Sequence, residues 1–334
     1  MNSNMPLLQF RRVTKRFQTP KSKENRKGII TALDGVSLDL YKGEILALVG
    51  ESGCGKTTLG KIAVDLVRPD GGDVLFEGES IYGFRKSRYL KYRRSVQMIH
   101  QDPYAALNPM RTILQTLSAP IEQYKLASGR SGVLHKAEEL LRVVGLEPPG
   151  DILGKYPHQL SGGQRQRVVI ARSISLNPSA IVADEAVSMI DVSLRVGILN
   201  LMMKLREELG IAYLFITHDL GIARYFAQGN RIAIMYLGSI MEAGPTEEVI
   251  NSPIHPYTRA LLTAVPVPDP RRARVERPLP LKEAEISGHF MPSNRCRFEP
   301  RCIYATDACK EGAPVLREIM PGRHVACIRA DEIG

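Results

Sequence analysis

The 334-residue sequence lacks any apolar stretch that approaches the roughly 18 residues of a membrane span. Its first residues contain no apolar segment of the kind that a secretory signal needs, which favours an unsecreted, cytoplasmic protein. No internal repeat is present. Because 44% of the residues are hydrophobic, the chain can bury an ample core in one large domain or two smaller ones. We therefore expect any contact with a membrane to come through partners.

Acidic residues are fewer than basic ones, and the formal net charge is +10. Basic residues cluster at 21–27, 85–94 and 271–277, and aromatic residues interleave the second cluster. Such a pattern is found in nucleic-acid-binding proteins. No recognised nucleic-acid module accompanies the charge, so a solvated basic face, near an anionic membrane surface, is the interpretation that we favour.

A glycine-rich loop at 50–57 matches the phosphate-binding pattern G-x-x-x-x-G-K-[ST]. An apolar strand is predicted before it at 44–49, and a helix after it at 56–66, which disfavours a chance glycine-rich turn. Backbone N–H groups of the loop would point at phosphate oxygens, Lys56 would contact the β- and γ-phosphates, and Thr57 would bind Mg²⁺. The residues expected at the nucleotide are Gly50, Ser52, Gly53, Cys54, Gly55, Lys56, Thr57 and Thr58.

Two further apolar strands end in polar residues. The strand at 180–183 is followed by Asp184 and Glu185, and the strand at 211–217 by His218. Parallel α/β sheets place ligands at the carboxyl ends of their strands. There one carboxylate can hold Mg²⁺ and the next can polarise a water molecule towards the γ-phosphate, although a lone histidine is more often structural.

Alternating strand and helix patterns predict a parallel α/β sheet through this region, with additional strands at 7–17 and 29–40. Two apolar stripes at helical spacing are interpreted as core. The first comprises Leu134, Ala137, Leu140, Leu141 and Val144, and the second comprises Leu194, Ile198, Leu201 and Leu205.

Leu160-Ser161-Gly162-Gly163-Gln164 follows the phosphate loop by about a hundred residues. With Gln101, Asp184-Glu185, Asp191 and His218, the two strings make the chain resemble the ATP-binding subunits of ABC transporters. The resemblance implies an ABC-type P-loop ATPase domain over 1–253, with a RecA-like parallel sheet core, an antiparallel β subdomain and a helical signature subdomain at about 102–170. It also implies that two such domains dimerise head to tail around ATP.

The same resemblance assigns roles to single residues. Glu185 resembles the general base, His218 the γ-phosphate sensor, and Gln101 the lever that joins Mg²⁺ and water to the membrane subunit. Phe17 is placed like the aromatic residue that stacks on adenine, with a core position as the alternative. Further nucleotide contacts are implied for Ser161, Gly162, Gly163 and Gln164 across the dimer interface, and for Asp184 and Asp191.

The sequence departs from the family pattern beside the dimer interface. Ala186 stands where the family usually has proline after the catalytic glutamate, and Met189-Ile190 replaces the more usual Ala-Leu. The departures put in doubt how the dimer interface is adjusted. They affect the expectation of catalysis less, because Glu185 and Asp191 are present.

Two segments, 101–109 and 255–262, resemble the oligopeptide and dipeptide importer branch, some of whose members carry oligosaccharides or nickel. The branch implies an ATP-hydrolysing subunit bound to the cytoplasmic face of the membrane. Its implied partners are two membrane-spanning permease subunits, an identical or related second ATPase subunit and an extracytoplasmic solute-binding protein. The alternative is a soluble ABC ATPase that acts on nucleic acid or ribosomes. The single phosphate loop and the lack of a long heptad run argue against it.

Residues 254–334 form a proline-rich extension that contains four of the five cysteines. The spacing of Cys296, Cys302, Cys309 and Cys327 matches neither ferredoxin runs nor the usual zinc pairs. Four thiols in a core-poor cytoplasmic segment still favour a metal or cluster, and the resembling family's tail holds a [4Fe–4S] cluster in some members. Zinc and free thiols or disulfides are the alternatives. Cys54 is expected to be an incidental small side chain.

Overall fold

The computed structural model describes residues 5–18, 28–265, 280–282 and 294–333. The strands are β1 Leu8–Gln18, β2 Ile29–Leu40, β3 Ile45–Val49, β4 Gly71–Phe76, β5 Glu79–Ser80, β6 Val96–Ile99, β7 Ala180–Asp184, β8 Ala212–Thr217, β9 Arg231–Tyr236, β10 Ser239–Pro245, β11 Arg317–Met320 and β12 Arg323–Val325. The helices are α1 Lys56–Ala63, α2 Lys86–Ser95, α3 Pro103–Ala106, α4 Ile113–Gln123, α5 Gly129–Val143, α6 Pro149–Leu153, α7 Gly162–Ile174, α8 Val192–Leu209, α9 Leu220–Phe226, α10 Thr246–Asn251, α11 Pro256–Ala264, α12 Ala308–Glu311 and α13 Ala330–Ile333.

The described residues group into two compact units. The first is built mainly from Glu79–Ile216, and the second from the described parts of Leu8–Asp39, Ile45–Gly78 and Thr217–Gly334. Two of the three basic clusters, at 21–27 and 271–277, lie outside the described residues.

Parallel strands form the sheet of the first unit. β6 pairs with β7, and β7 pairs with β8, with Asp184 opposite Ile216 at the end of the ladder. β7 and β8 are buried along their whole length, as apolar runs covered on both faces should be. The predicted strands at 180–183 and 211–217 are thus confirmed.

Two positions predicted as core are exposed. α5 and α8 follow the predicted stripes, and the later apolar positions of both are buried. Leu134 is nevertheless 39% exposed and Leu194 45% exposed, so these two predictions were wrong. Both residues lie in the N-terminal part of their helix. The apolar periodicity extends into this part, but only the later residues of each stripe are buried.

A mixed sheet organises the second unit. β3 pairs in parallel with β9, β10 pairs antiparallel with β9, and β12 and β11 follow as antiparallel additions. β1 pairs antiparallel with β4 in a separate sheet, with Leu8 opposite Phe76. α1 ends at Ala63, earlier than the predicted Leu66, and Asp65 beyond it adopts a left-handed φ of 53°.

The C-terminal residues attach to this unit through β12 and a small apolar cluster of Ile254, Val325 and Ala330. Within the described ranges, none of the helices has the length and apolar character required to cross a membrane.

Candidate nucleotide-binding and catalytic site

The phosphate loop begins directly after the buried strand β3, and two of its glycines are required by space. A Cβ on Gly50 would lie 2.1 Å from the carbonyl oxygen of Met235. Gly55 has a φ of 110°, and a Cβ there would lie 2.3 Å from the carbonyl oxygen of Ala32. Since only glycine tolerates both conditions, these positions hold the loop in its tight turn.

Lys56 lies at the start of α1, is 5% exposed and is bonded to its own loop. Its Nζ donates to the carbonyl oxygens of Gly50, at 2.8 Å, and Glu51, at 2.9 Å. α1 has no side-chain cap and no acidic residue in its first turn. A helix N-terminus and an ammonium group therefore provide positive charge at this loop, the condition that favours a phosphate group.

Cys54 is buried inside the loop, with its Sγ 3.7 Å from the Lys56 Nζ. Burial raises the pKa of the Cys54 thiol even though Lys56 acts to lower it. The side chain is therefore a neutral thiol at neutral pH, consistent with the expected incidental small residue.

Phe17 and His218, which also belong to the second unit, are both exposed. Phe17 is 40% exposed, and the Lys15 Nζ lies 5.5 Å from the centroid of its ring. This exposure excludes the core alternative for Phe17. His218 directly follows β8, where Asp219 fixes the turn: its N–H donates to the Thr217 hydroxyl and its carboxylate accepts from the N–H of Ile222.

The first unit places Asp184 and Glu185 at the end of β7. Asp184 is 4% exposed, whereas Glu185 has a left-handed φ of 47°. The N–H of Glu185 donates to the carbonyl of Ile216, and its own carbonyl accepts from both the N–H and the hydroxyl of Ser188. Left-handed backbone at a residue other than glycine costs free energy, and these bonds hold it in place.

Gln101 and Glu185 are in direct contact although 84 residues separate them. The Gln101 Nε2 donates to the Glu185 Oε2 at 2.8 Å. A carboxylate can accept further hydrogen bonds beside this one, so the pair can orient a water molecule. The structure thus brings together two residues to which the family resemblance assigns separate roles, and their contact was not predicted from the sequence.

The signature residues, 161–164, lie at the start of helix α7, where Ser161 and Gln164 cap the helix by bonding to each other's N–H groups. The Ser161 hydroxyl accepts from the N–H of Gln164 at 3.2 Å, and the Gln164 side chain accepts from the N–H of Ser161 at 3.0 Å. Gly162 and Gly163 form the first turn between them. The arrangement is a capping box, and it presents a hydroxyl and a helix N-terminus at one place.

The departures from the family pattern divide by exposure. Ala186 is 2% exposed and Ile190 is 4% exposed, whereas Met189 is 59% exposed. Asp191 begins α8 without a side-chain cap bond. Among the residues that depart from the family pattern beside the expected interface, Met189 is therefore the exposed one.

The four C-terminal cysteines line one small pocket, together with His255 and Phe298. All five cysteines are free thiols. Burial, with the neighbouring cysteines, raises the pKa of Cys296 to about 12. Over the described ranges, no group of three or more His, Cys, Asp or Glu side chains is arranged to hold a metal ion. Four thiols are a donor set that thiolate-bound metal centres use, but the described side chains are not arranged as such a centre.

Two residues at the phosphate loop were missed by sequence reasoning. Tyr257 and Arg301, both from the C-terminal region, bond to Glu51 in the loop. The segment 255–262 resembles the importer branch, but nothing in its spacing indicates this contact.

Comparison with known proteins agrees with this geometry. Residues 33–188 match the ABC transporter family, and residues 241–309 match the oligopeptide/dipeptide transporter C-terminal region. A probable peptide ABC transporter ATP-binding protein, y4tS of Sinorhizobium fredii, is 46% identical over 90% of this chain and 82% of its own length. The oligopeptide transport ATP-binding protein AppF of Bacillus subtilis is 42% identical over 96% of both chains.

Among solved structures, a post-hydrolysis dimer of the ATP-binding cassette MJ0796 with ADP and phosphate superposes with a TM-score of 0.62. It is 30% identical and covers 72% of this chain and 98% of its own. Fold and site together define an ABC-type ATPase, which confirms the expected fold class. More particularly, the chain belongs to the ATP-binding subunits of ABC transporters, in the branch that carries the oligopeptide/dipeptide transporter C-terminal region.

Proposed function

We propose that this chain hydrolyses ATP to power the uptake of oligopeptides or dipeptides through an ABC importer. The main support is that relatives named for peptide transport match nearly the whole chain, including the C-terminal region that distinguishes the branch. Related solutes such as oligosaccharides remain the second cargo class. No observation favours the soluble ATPase that acts on nucleic acid or ribosomes, because the matched relatives bear transport names.

The proposed chemistry is phosphoryl transfer to water, driven by positioning and by charge stabilisation. Glu185 polarises the attacking water, and Gln101 orients the carboxylate to which it is bonded. Lys56 and the loop N–H groups bind the phosphates. Mg²⁺ is held by Thr57, Gln101 and Asp184, and His218 contacts the γ-phosphate. The remaining proposed nucleotide contacts are Phe17, Gly50, Ser52, Gly53, Cys54, Gly55, Thr58 and Asp191, with Ser161, Gly162, Gly163 and Gln164 reaching the ATP of the partner subunit.

The proposed assembly is a pair of ATPase subunits, identical or related, bound to two permease subunits at the cytoplasmic face of the membrane. A solute-binding protein outside the membrane would deliver the cargo. The proposed division of the chain is a nucleotide-binding domain at 1–253 and a C-terminal extension at 254–334. ATP binding would close the dimer, and hydrolysis with product release would reopen it.

For the cysteine pocket we propose a [4Fe–4S] cluster ligated by Cys296, Cys302, Cys309 and Cys327. The support is the shared pocket, the absence of disulfides among these thiols and a donor set typical of such clusters. Anaerobically purified protein should contain iron and sulfide in near-stoichiometric amounts. Cys302→Ser should remove most of both, whereas the matched Cys54→Ser should retain them. Four titratable thiols without metal would contradict the cluster.

The experiment that tests the transport function is affinity purification of the chain from its native membranes, with mass spectrometry of the associated proteins. Two multi-span subunits, a second ATPase and a solute-binding protein should be recovered. Titration of that binding protein with di- and oligopeptides and with oligosaccharides then identifies the cargo. Recovery of ribosomal proteins or nucleic acid without a membrane subunit would contradict the importer.

A further inference from the structure

Glu51, the second residue of the phosphate loop, forms hydrogen bonds through its N–H, its carbonyl and its carboxylate. Its N–H donates to the Tyr257 hydroxyl at 3.1 Å, and its carbonyl accepts from the Lys56 Nζ at 2.9 Å. Its carboxylate accepts from the Arg301 Nη1 at 2.9 and 3.2 Å. The phosphate-loop pattern leaves this position open to any residue. The contacts, rather than the pattern, therefore single it out.

Tyr257 is a fixed hydrogen-bond acceptor for the loop. It is 1% exposed, and its ring packs against Tyr236, at 4.5 Å between centroids, and Phe298, at 5.4 Å. Its own N–H donates to His255 Nδ1 at the start of α11, which sets the direction of the helix. Burial raises the pKa of the Tyr257 hydroxyl, so it remains neutral. A neutral hydroxyl in a rigid aromatic cluster can hold the Glu51 N–H without adding negative charge.

Arg301 supplies the opposite charge to Glu51 from a restrained position. Its side chain is 13% exposed, against 43% for Glu51, and its guanidinium lies 5.9 Å from the ring centroid of Tyr236. A few residues before it, Arg297 forms an ion pair with Asp34 and donates to the carbonyl of Leu237. The segment 296–302 is thus fastened both to the phosphate loop and to the end of β9.

Glu51 is the one acidic residue between Gly50 and Thr57. Uncompensated, its carboxylate would repel a phosphate group bound by the same loop, because like charges at short range repel each other even where one of them is half-exposed. Its carbonyl also restrains Lys56, the loop's positive side chain. A residue that holds Glu51 therefore acts on both charged side chains of the loop, Glu51 itself and Lys56.

We propose that Tyr257 and Arg301 are positioning residues for nucleotide binding, so that the C-terminal region completes the phosphate site of its own chain. Both residues lie within 241–309, whereas the loop lies within 33–188. The nucleotide site is then shared between the two family segments of the chain. The inference depends on the ATPase and not on the transported solute.

The test is the dissociation constant for Mg·ADP, measured by calorimetry on the full chain, because ADP requires no turnover. Arg301→Gln should weaken binding about 3- to 10-fold, since the ion pair is partly exposed and its partner remains beside the phosphates. Arg301→Lys should recover most of the loss. The control is Arg317→Gln, which breaks an exposed ion pair with Asp331 in the same region and should change affinity less than twofold.

A steady-state measurement separates positioning from general damage. Arg301→Gln should raise KM for ATP by a similar factor and leave kcat within about twofold, as expected for lost uniform binding. Tyr257→Phe retains the packed ring and removes only the hydrogen-bond acceptor for Glu51. It should therefore also weaken the binding of Mg·ADP. Melting temperature, followed in parallel, identifies a variant that has lost its fold.

The double variant Glu51→Gln with Arg301→Gln tests whether the two residues act through each other. If they do, Glu51→Gln should suppress most of the affinity loss caused by Arg301→Gln. Additive losses would contradict the proposal, because Arg301 would then act elsewhere. Unchanged affinity in a folded Arg301→Gln protein would also overturn it.

Discussion

Two arginines of the C-terminal region form ion pairs of opposite character. Arg323, in β12, is 2% exposed and pairs at 2.7 Å with Glu242, whose side chain is 0% exposed. The Glu242 carboxylate also accepts from the N–H groups of Ile254 and His255. Arg301, in contrast, pairs with the half-exposed Glu51 of the phosphate loop. One pair lies inside the unit, and the other lies at the nucleotide site.

One short region thus contains a pair that belongs to the buried interior and a pair that belongs to the phosphate loop. Removing one partner of a buried pair leaves an unpaired charge without water, whereas an exposed pair contributes little to stability. The Arg323 pair should therefore determine whether the region is folded. The Arg301 pair should determine how the folded chain binds nucleotide.

The largest effect is expected at a residue that belongs to neither pair. Glu185→Gln should lower steady-state ATP hydrolysis by roughly 10²- to 10⁴-fold, because the water loses its general base. Mg·ADP affinity and melting temperature should change little. The matched control is Glu207→Gln on α8, measured by phosphate release. Hydrolysis that persists in Glu185→Gln would refute the catalytic assignment.

Arg323→Leu should lower the free energy of unfolding by about 3–5 kcal/mol, because the Glu242 charge remains buried. Urea unfolding measures this loss. The double variant Glu242→Leu with Arg323→Leu should lose less than the single one, since no charge is left unpaired. Mg·ADP affinity of the folded fraction should stay near wild type. A stability loss below about 1 kcal/mol would remove the contrast between the two arginines.

Ser161→Ala should lower stability less than Arg323→Leu does, by about 1 kcal/mol, because it removes the cap of α7. Ser128→Ala is the matched control, since Ser128 begins α5 without a side-chain cap bond. Phosphate release should fall in Ser161→Ala and not in the control if the signature contacts the partner's nucleotide. Equal turnover in both variants would confine Ser161 to a structural role.

The strands and the phosphate loop were predictable from the sequence because their signals are local. β3, β7 and β8 are continuous apolar runs, and Gly50 and Gly55 are required by the turn between a strand and a helix. Leu134 and Leu194 were misplaced because periodicity does not show where along a helix the core contacts end. The pairing of residues 250 positions apart, Arg301 and Glu51, has no periodic or spacing signal and required the tertiary structure.

The left-handed backbone of Glu185 was also beyond sequence reasoning. It depends on hydrogen bonds to Ile216 and Ser188, which form only in the folded unit. The family resemblance predicts the role of Glu185, and the structure shows the hydrogen bonds that restrain its backbone.

ATP-driven peptide import is measured as uptake of a labelled peptide by vesicles reconstituted with the purified importer complex. ATP enclosed on the side of this chain should drive uptake against a concentration gradient, and substitution of Glu185→Gln should abolish it while Glu207→Gln does not. Equal uptake without ATP, or undiminished uptake with Glu185→Gln in this chain, would contradict ATP-driven import by this subunit.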